Sequence, residues 1–133
     1  MSGRRLFLDT NLFVASLTDE PDRGERATEL MNGEFEFYTS LLNLMELRTV
    51  LAKKKRIEQE RVEGAIRRIS DRTNVVVHEP SDIVAADELQ RETLLYPMDC
   101  LILALAEDQE ATLVTFDSEL VEAGASTPTE FGD

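Results

Sequence analysis

The first apolar run, residues 6–8, stops at Asp9 and is followed by NLFVASL, which reads as a short buried strand leading into a turn or helix start. Pro21 and Asp22 punctuate the next loop, and RGERATELM then places Ala27, Leu30 and Met31 at helical spacing. EFEFYTS predicts a second strand. Ser40 is positioned to cap a helix whose Leu44, Leu47 and Leu51 recur at three and four residues, and whose end is marked by Lys53, Lys54, Lys55 and Arg56. Residues 59–70 repeat the helical pattern through Val62, Ile66 and Ile69, and Asn74 introduces VVV, a β-branched run suited to a strand. After Pro80, Ser81 opens an amphipathic helix through Ile83, Ala86 and Leu89 to about Leu95. Pro97 fits the first turn of a helix, MDCLILALAE, that is apolar nearly all round and therefore central. TLVTF is a buried strand ending at Asp117, and SELVEAG is a short helix stopped by Gly124. The closing TPTEFGD is expected to be loosely organised or edge-like.

Strands alternating with helices predict an α/β fold: a twisted, mainly parallel sheet with helices on both faces. At 133 residues, with no repeat or linker, the chain is expected to form one domain over residues 1–133. No apolar stretch has the roughly 20 residues of a membrane span. The N-terminus reaches Asp9 before any signal-like segment develops, so a cytoplasmic protein is expected. The lone Cys100, in an apolar stretch, argues against a disulfide framework or thiolate metal site.

Charge complicates this picture. Fourteen Lys and Arg against 27 Asp and Glu leave a formal net charge of −13, which opposes binding to phosphate backbones. Two readings reconcile it: an acidic surface adapted to high salt, where the Debye length shrinks to about 3 Å at 1 M, or acids that converge on a divalent cation. The basic residues are also clustered, with Arg61, Arg67, Arg68 and Arg72 following the Lys53 run.

Four acids stand out of place. Asp9 and Asp117 follow apolar runs, at the carboxyl ends of predicted strands, where open α/β sheets bind ligands. Glu46 has Leu42 and Val50 one turn away on either side, and Asp99 opens an otherwise apolar helix. Each has an ordinary alternative: Asp9 and Asp117 as helix caps, Asp99 as a partner of a helix dipole, Glu46 as a half-exposed helix edge. Jointly, four acids at two strand ends and on two apolar helices suit Mg²⁺ or Mn²⁺, which prefer oxygen ligands. One histidine and one cysteine leave little for zinc. Such ions activate water and stabilise a leaving oxygen, the chemistry of phosphodiester hydrolysis.

LFLDTNLFVA, LMELRTVL, YPMDCLILALA and TLVTFDSEL resemble the successive motifs of PIN-domain ribonucleases, and the size and motif order resemble the VapC toxins of toxin–antitoxin pairs. The resemblance implies a PIN-like three-layer fold, a Mg²⁺ or Mn²⁺ site, endonucleolytic cleavage of RNA, a homodimer and a bound antitoxin segment. By position, Asp9, Glu46, Asp99 and Asp117 match the acidic quartet, Asn11 the polar residue of the DTN motif, and Thr115 the small hydroxyl residue before the last acid. Glu119 departs from the pattern, standing where many members have a second aspartate.

Rival readings are a receiver domain, a haloacid-dehalogenase-like phosphatase and a non-catalytic PIN-like interaction module. The first lacks paired acids after strand one and any lysine after Lys55; the second meets Asn11 where it needs an aspartate. The third keeps the fold and drops the activity, as a housekeeping RNA-processing nuclease would drop the antitoxin. His78 is expected at a strand end or surface, and Phe7, Phe13, Phe35 and Phe37 in the core or a dimer contact. A pocket of carboxylates is expected to draw an arginine from a partner, with apolar helices exposed around Leu30 and Leu51 for docking.

Overall fold

In the computed structural model, which describes residues 3–131, four parallel strands form one sheet in the order β3-β2-β1-β4. The strands are β1 (Arg5–Leu8), β2 (Glu36–Ser40), β3 (Asn74–Val76) and β4 (Thr112–Val114). Between β1 and β2 lie α1 (Thr10–Leu17) and α2 (Arg23–Met31). Between β2 and β3 come α3 (Leu41–Thr49), a π-helical segment (Val50–Lys54) and α4 (Gln59–Arg72). The third crossover carries α5 (Pro80–Thr93) and α6 (Pro97–Asp108), and α7 (Ser118–Glu122) follows β4.

Side-chain alternation divides the interior into two cores. Leu6, Leu8, Phe37 and Val114 pack with α1, Leu47 of α3 and Val62 of α4, whereas Phe7, Tyr38 and Leu113 pack with α6 and Leu120 of α7. Consecutive strand residues point to opposite faces, so the sheet is covered on both sides, as expected. Phe7, Phe13 and Phe37 are buried. Because β2 and β4 flank β1 and are reached by separate crossovers, the strand order reverses at β1, which puts the carboxyl ends of β1 and β4 at the switch point where open α/β sheets bind ligands.

Several elements differ from the sequence expectations. The strand in TLVTF ends at Val114, because the Phe116 N–H, which would face β1, turns instead to the Asn11 side chain (3.2 Å); the Thr115 N–H, on the other edge, bonds the Ser126 carbonyl (2.9 Å) in an isolated parallel bridge. Glu79, not Ser81, caps α5: Pro80 takes the first helical position, and Glu79 and Asp82 form a reciprocal capping box. That register turns Asp82 and Ala86 inward and leaves Ile83 exposed. The helix after Ser40 loosens into π geometry before the lysines, with the Lys55 N–H reaching back five residues to Val50 O (3.0 Å).

The tail is ordered as far as Phe131. Thr127 and Glu130 form a capping box around a 3₁₀ turn (Pro128–Glu130), and the Phe131 ring meets Phe35 edge-on at 6.0 Å, below the Arg4 guanidinium. Gly132 and Asp133, the end of the segment expected to be loose, lie outside the described residues. Leu30 and Leu51 are buried, so the surface expected around them does not exist in that form. Among the described residues, no helix is long and apolar enough to cross a membrane.

Candidate active site

The sheet delivers two acids to this switch point as helix caps. The Asp9 N–H extends the ladder by one bond to Val114 O (3.1 Å); its backbone stays extended, and its Oδ1 accepts the Thr10 N–H at 2.8 Å, starting α1. Asp117 starts α7 in the same way, its Oδ1 accepting the Glu119 N–H at 2.9 Å. The capping alternative therefore holds for both residues, and it uses only part of each carboxylate's accepting capacity.

A polar network ties the ends of β1, β2 and β4 together. The Phe116 N–H donates to Asn11 Oδ1, which fixes the Asn11 amide so that its Nδ2 donates to Thr115 Oγ1 at 3.1 Å. The Asp117 N–H also donates to Thr115 Oγ1, at 3.0 Å. With both lone pairs engaged, the Thr115 hydroxyl has its proton free for one acceptor, Asp9 Oδ2 at 2.8 Å. From the other side, Asn43 Nδ2 donates to Asp9 Oδ1 (3.3 Å) and Thr10 Oγ1 (2.9 Å), while Asn43 Oδ1 accepts the Ser40 hydroxyl (2.5 Å). Thr10, Ser40, Asn43 and Thr115 are all buried, and among the described residues no buried side-chain polar atom lacks a partner.

The acids are coupled through their charges. Burial raises the Asp99 carboxyl to about 6, with further increments from Asp117, Asp9, Glu46 and Glu119. Asp9 is also raised, chiefly by burial, against the lowering effect of its Thr115 and Thr10 bonds; Glu46 and Asp117 push the same way. Glu46 itself is exposed, one turn along α3 from Asn43. The quartet predicted from sequence thus shares one electrostatic neighbourhood. Among the described residues the ion pairs are Arg5–Glu36, Arg26–Asp22 and Arg48–Glu63, so none neutralises the quartet. Oxygen-only donors with uncompensated charge fit a hard divalent cation. Among the described residues, no three acids stand close enough to enclose an ion.

The PIN domain family matches residues 6–125. The chain belongs to the PIN-domain family. No curated protein matches it by sequence. Its fold is similar to that of a toxin–antitoxin complex from Klebsiella pneumoniae (24% identity, TM-score 0.73, covering 92% of this chain and 97% of that one). It is also similar to VapC20, a sarcin–ricin loop cleaving toxin of Mycobacterium tuberculosis (21%, TM-score 0.75, 90% and 95%). A third likeness is to VapBC2 from Rickettsia felis, bound to a DNA fragment from its promoter (22%, TM-score 0.70, 90% and 92%).

Within this PIN domain, sequence reasoning missed Asn43 and Thr10 and assigned Ser40 only a capping role. The signal for Asn43 is an amide inside LLNLMEL, next to Leu44 and one turn before Leu47, both of which are buried. A buried amide in that position needs partners, and here they are a carboxylate and two hydroxyls. Glu119, the departure from the family pattern, adds its charge to Asp99. His78 is half-buried after β3, the edge strand two positions from β1, and takes no part in the network.

Proposed function

We propose that this PIN-domain protein is a Mg²⁺- or Mn²⁺-dependent endoribonuclease, the cytoplasmic toxin of a toxin–antitoxin pair, folded as one domain over residues 1–133. The observation that carries the reading is the quartet Asp9, Glu46, Asp99 and Asp117, which share one field with no cation among the described residues to balance it. These four would hold the ion. When bound, it would lower the pKa of a bound water toward neutrality and stabilise charge on the phosphodiester oxygens.

The remaining residues prepare the ligands. Thr115 and Asn43 hold the two oxygens of Asp9 from opposite sides, and Asn11 holds Thr115. Ligands fixed by outer hydrogen bonds bind metal more tightly than mobile ones. The Lys53 to Arg56 cluster begins seven residues beyond Glu46, about 10 Å along the helix, where it would hold flanking RNA backbone.

An antitoxin partner is supported by a groove of about 430 Å³ beside α1, α2 and α4. Phe13, Leu17, Met31 and Ile69 line it, with Arg68 and Arg72 among the polar residues. This groove, rather than a surface around Leu30 and Leu51, would seat an amphipathic helix. The toxin–antitoxin complexes among the similar folds support the same partner class. A homodimer is supported by the exposed apolar residues Val75, Val77, Ile83 and Val84.

The test is cleavage of total RNA by the purified chain with Mg²⁺, Mn²⁺ or EDTA. Internal cleavage that needs the ion and is lost in Asp9→Asn and Asp99→Asn is expected. Cleavage that persists in EDTA, or equal cleavage by Asp99→Asn, refutes the reading.

A further inference from the structure

Arg23 stands at the first position of α2 and is exposed, with its guanidinium carbon stacked 5.0 Å from the centroid of the Phe116 ring. Phe116 belongs to the site by its backbone, since its N–H holds the Asn11 amide and its chain neighbours are Thr115 and Asp117. The start of α2 is fixed. Gly24 is buried where a Cβ would come within 2.8 Å of the Ala15 carbonyl oxygen, so the first turn of α2 rests on the backbone near the end of α1. Bonds from Arg23 N to Pro21 O (2.7 Å) and Gly24 N to Glu20 O (2.8 Å) close the connecting turn.

The charge of Arg23 has no use within the described residues. No carboxylate pairs with it, in contrast to Arg26 one turn on, which pairs with Asp22 at 3.1 Å. Nor does any cation lower Asp9 or Asp99, so Arg23 is not there to neutralise the quartet. What remains is a planar cation with free donors, stacked on an aromatic ring whose own backbone is bonded into the site. Stacking leaves the edge donors of a guanidinium available for bidentate contact with a phosphate, and fixing the side chain beforehand reduces the ordering cost of binding.

We infer that Arg23 binds a backbone phosphate of the RNA strand flanking the phosphate held at the carboxylates, with Phe116 as the platform that aims it. The inference rests on the endoribonuclease reading. It makes Arg23 a substrate-binding residue, separate from the Lys53 cluster and anchored through Phe116 to the segment that follows β4.

The test is fluorescence-anisotropy binding of a labelled, mixed-sequence single-stranded RNA dodecamer, with Ca²⁺ replacing Mg²⁺ and KCl varied, alongside cleavage in Mg²⁺. Each phosphate contact contributes about 0.7 to the slope of log affinity against log salt for a single strand. Arg23→Gln should lower that slope by about 0.7 and weaken binding severalfold at low salt. Phe116→Leu should weaken binding while keeping the slope, and Arg26→Gln should change neither. Binding by Arg23→Gln with the wild-type affinity and slope overturns the inference and leaves the nuclease reading standing. Wild-type protein that neither binds nor cleaves RNA overturns both.

Discussion

Thr115 Oγ1 donates its only proton to Asp9 Oδ2 at 2.8 Å, because the Asn11 amide and the Asp117 N–H occupy its two lone pairs. This joins the ends of β1 and β4 and holds Asp9 in one orientation. Thr115→Val keeps the shape and removes the hydroxyl, leaving two donors and one carboxylate oxygen without their partner. Buried groups left in that state cost about 1–3 kcal/mol, so a stability loss of that order is expected in urea titrations. Mg²⁺ affinity by calorimetry should fall as well, by about 10- to 100-fold. Thr115→Ser should recover most of both. Equal affinity in the valine variant would show that Asp9 needs no such support.

Asn43 is the corresponding support on β2's side, capped by Ser40 and bonded to Asp9 and Thr10. Asn43→Asp should be worse than Asn43→Ala, although aspartate is nearly isosteric. It exchanges two donors for a second buried carboxylate beside one whose pKa burial already raises. Thermal melts without metal, with the aspartate variant melting lowest, check the order. The difference should narrow at pH 5, where the new carboxyl takes up a proton.

The elements and acids most legible in the sequence were those set by local rules. RGERATELM is α2 to the residue, since its apolar spacing and the preceding Pro21 and Asp22 leave little choice. Asp9 and Asp117 were visible because an acid after an apolar strand is conspicuous, and both turned out to be caps within an acidic neighbourhood. The end of β4 was not legible. Thr115 and Phe116 look like strand residues, and only Asn11, distant in sequence, takes the Phe116 N–H out of the ladder. The same holds for Asn43, whose role depends on β1 lying beside β2, a tertiary fact with no local signature.

High-salt adaptation makes a separate expectation. The formal charge is −13, and the described ion pairs are all partly exposed, so screening should relieve more repulsion than it removes attraction. The melting temperature in EDTA should rise with KCl from 0.1 M toward about 2 M, beyond several Debye-length reductions. A maximum at low salt would remove that reading and leave the acid excess unexplained by screening.

Acidity should stabilise the metal-free protein, opposite to the usual behaviour of paired carboxylates. Asp99 titrates near 6 in the folded chain against an ordinary 3.8, raised by burial and by Asp117, Asp9, Glu46 and Glu119; Asp9 is raised too. Between those two values the folded state binds more protons than the unfolded state, so stability falls as pH rises through the window. Urea titrations in EDTA at pH 7, 6 and 5 should therefore show the midpoint rising toward pH 5. Asp99→Asn should be more stable than wild type at pH 7 and should show a flatter profile, because its neutral amide cannot repel the other acids. Saturating Mg²⁺ should invert the slope, since protons then compete with the ion for the same oxygens. A wild-type profile in EDTA that loses stability from pH 7 to 5, matched by Asp99→Asn, would show that the four acids do not share a field in solution.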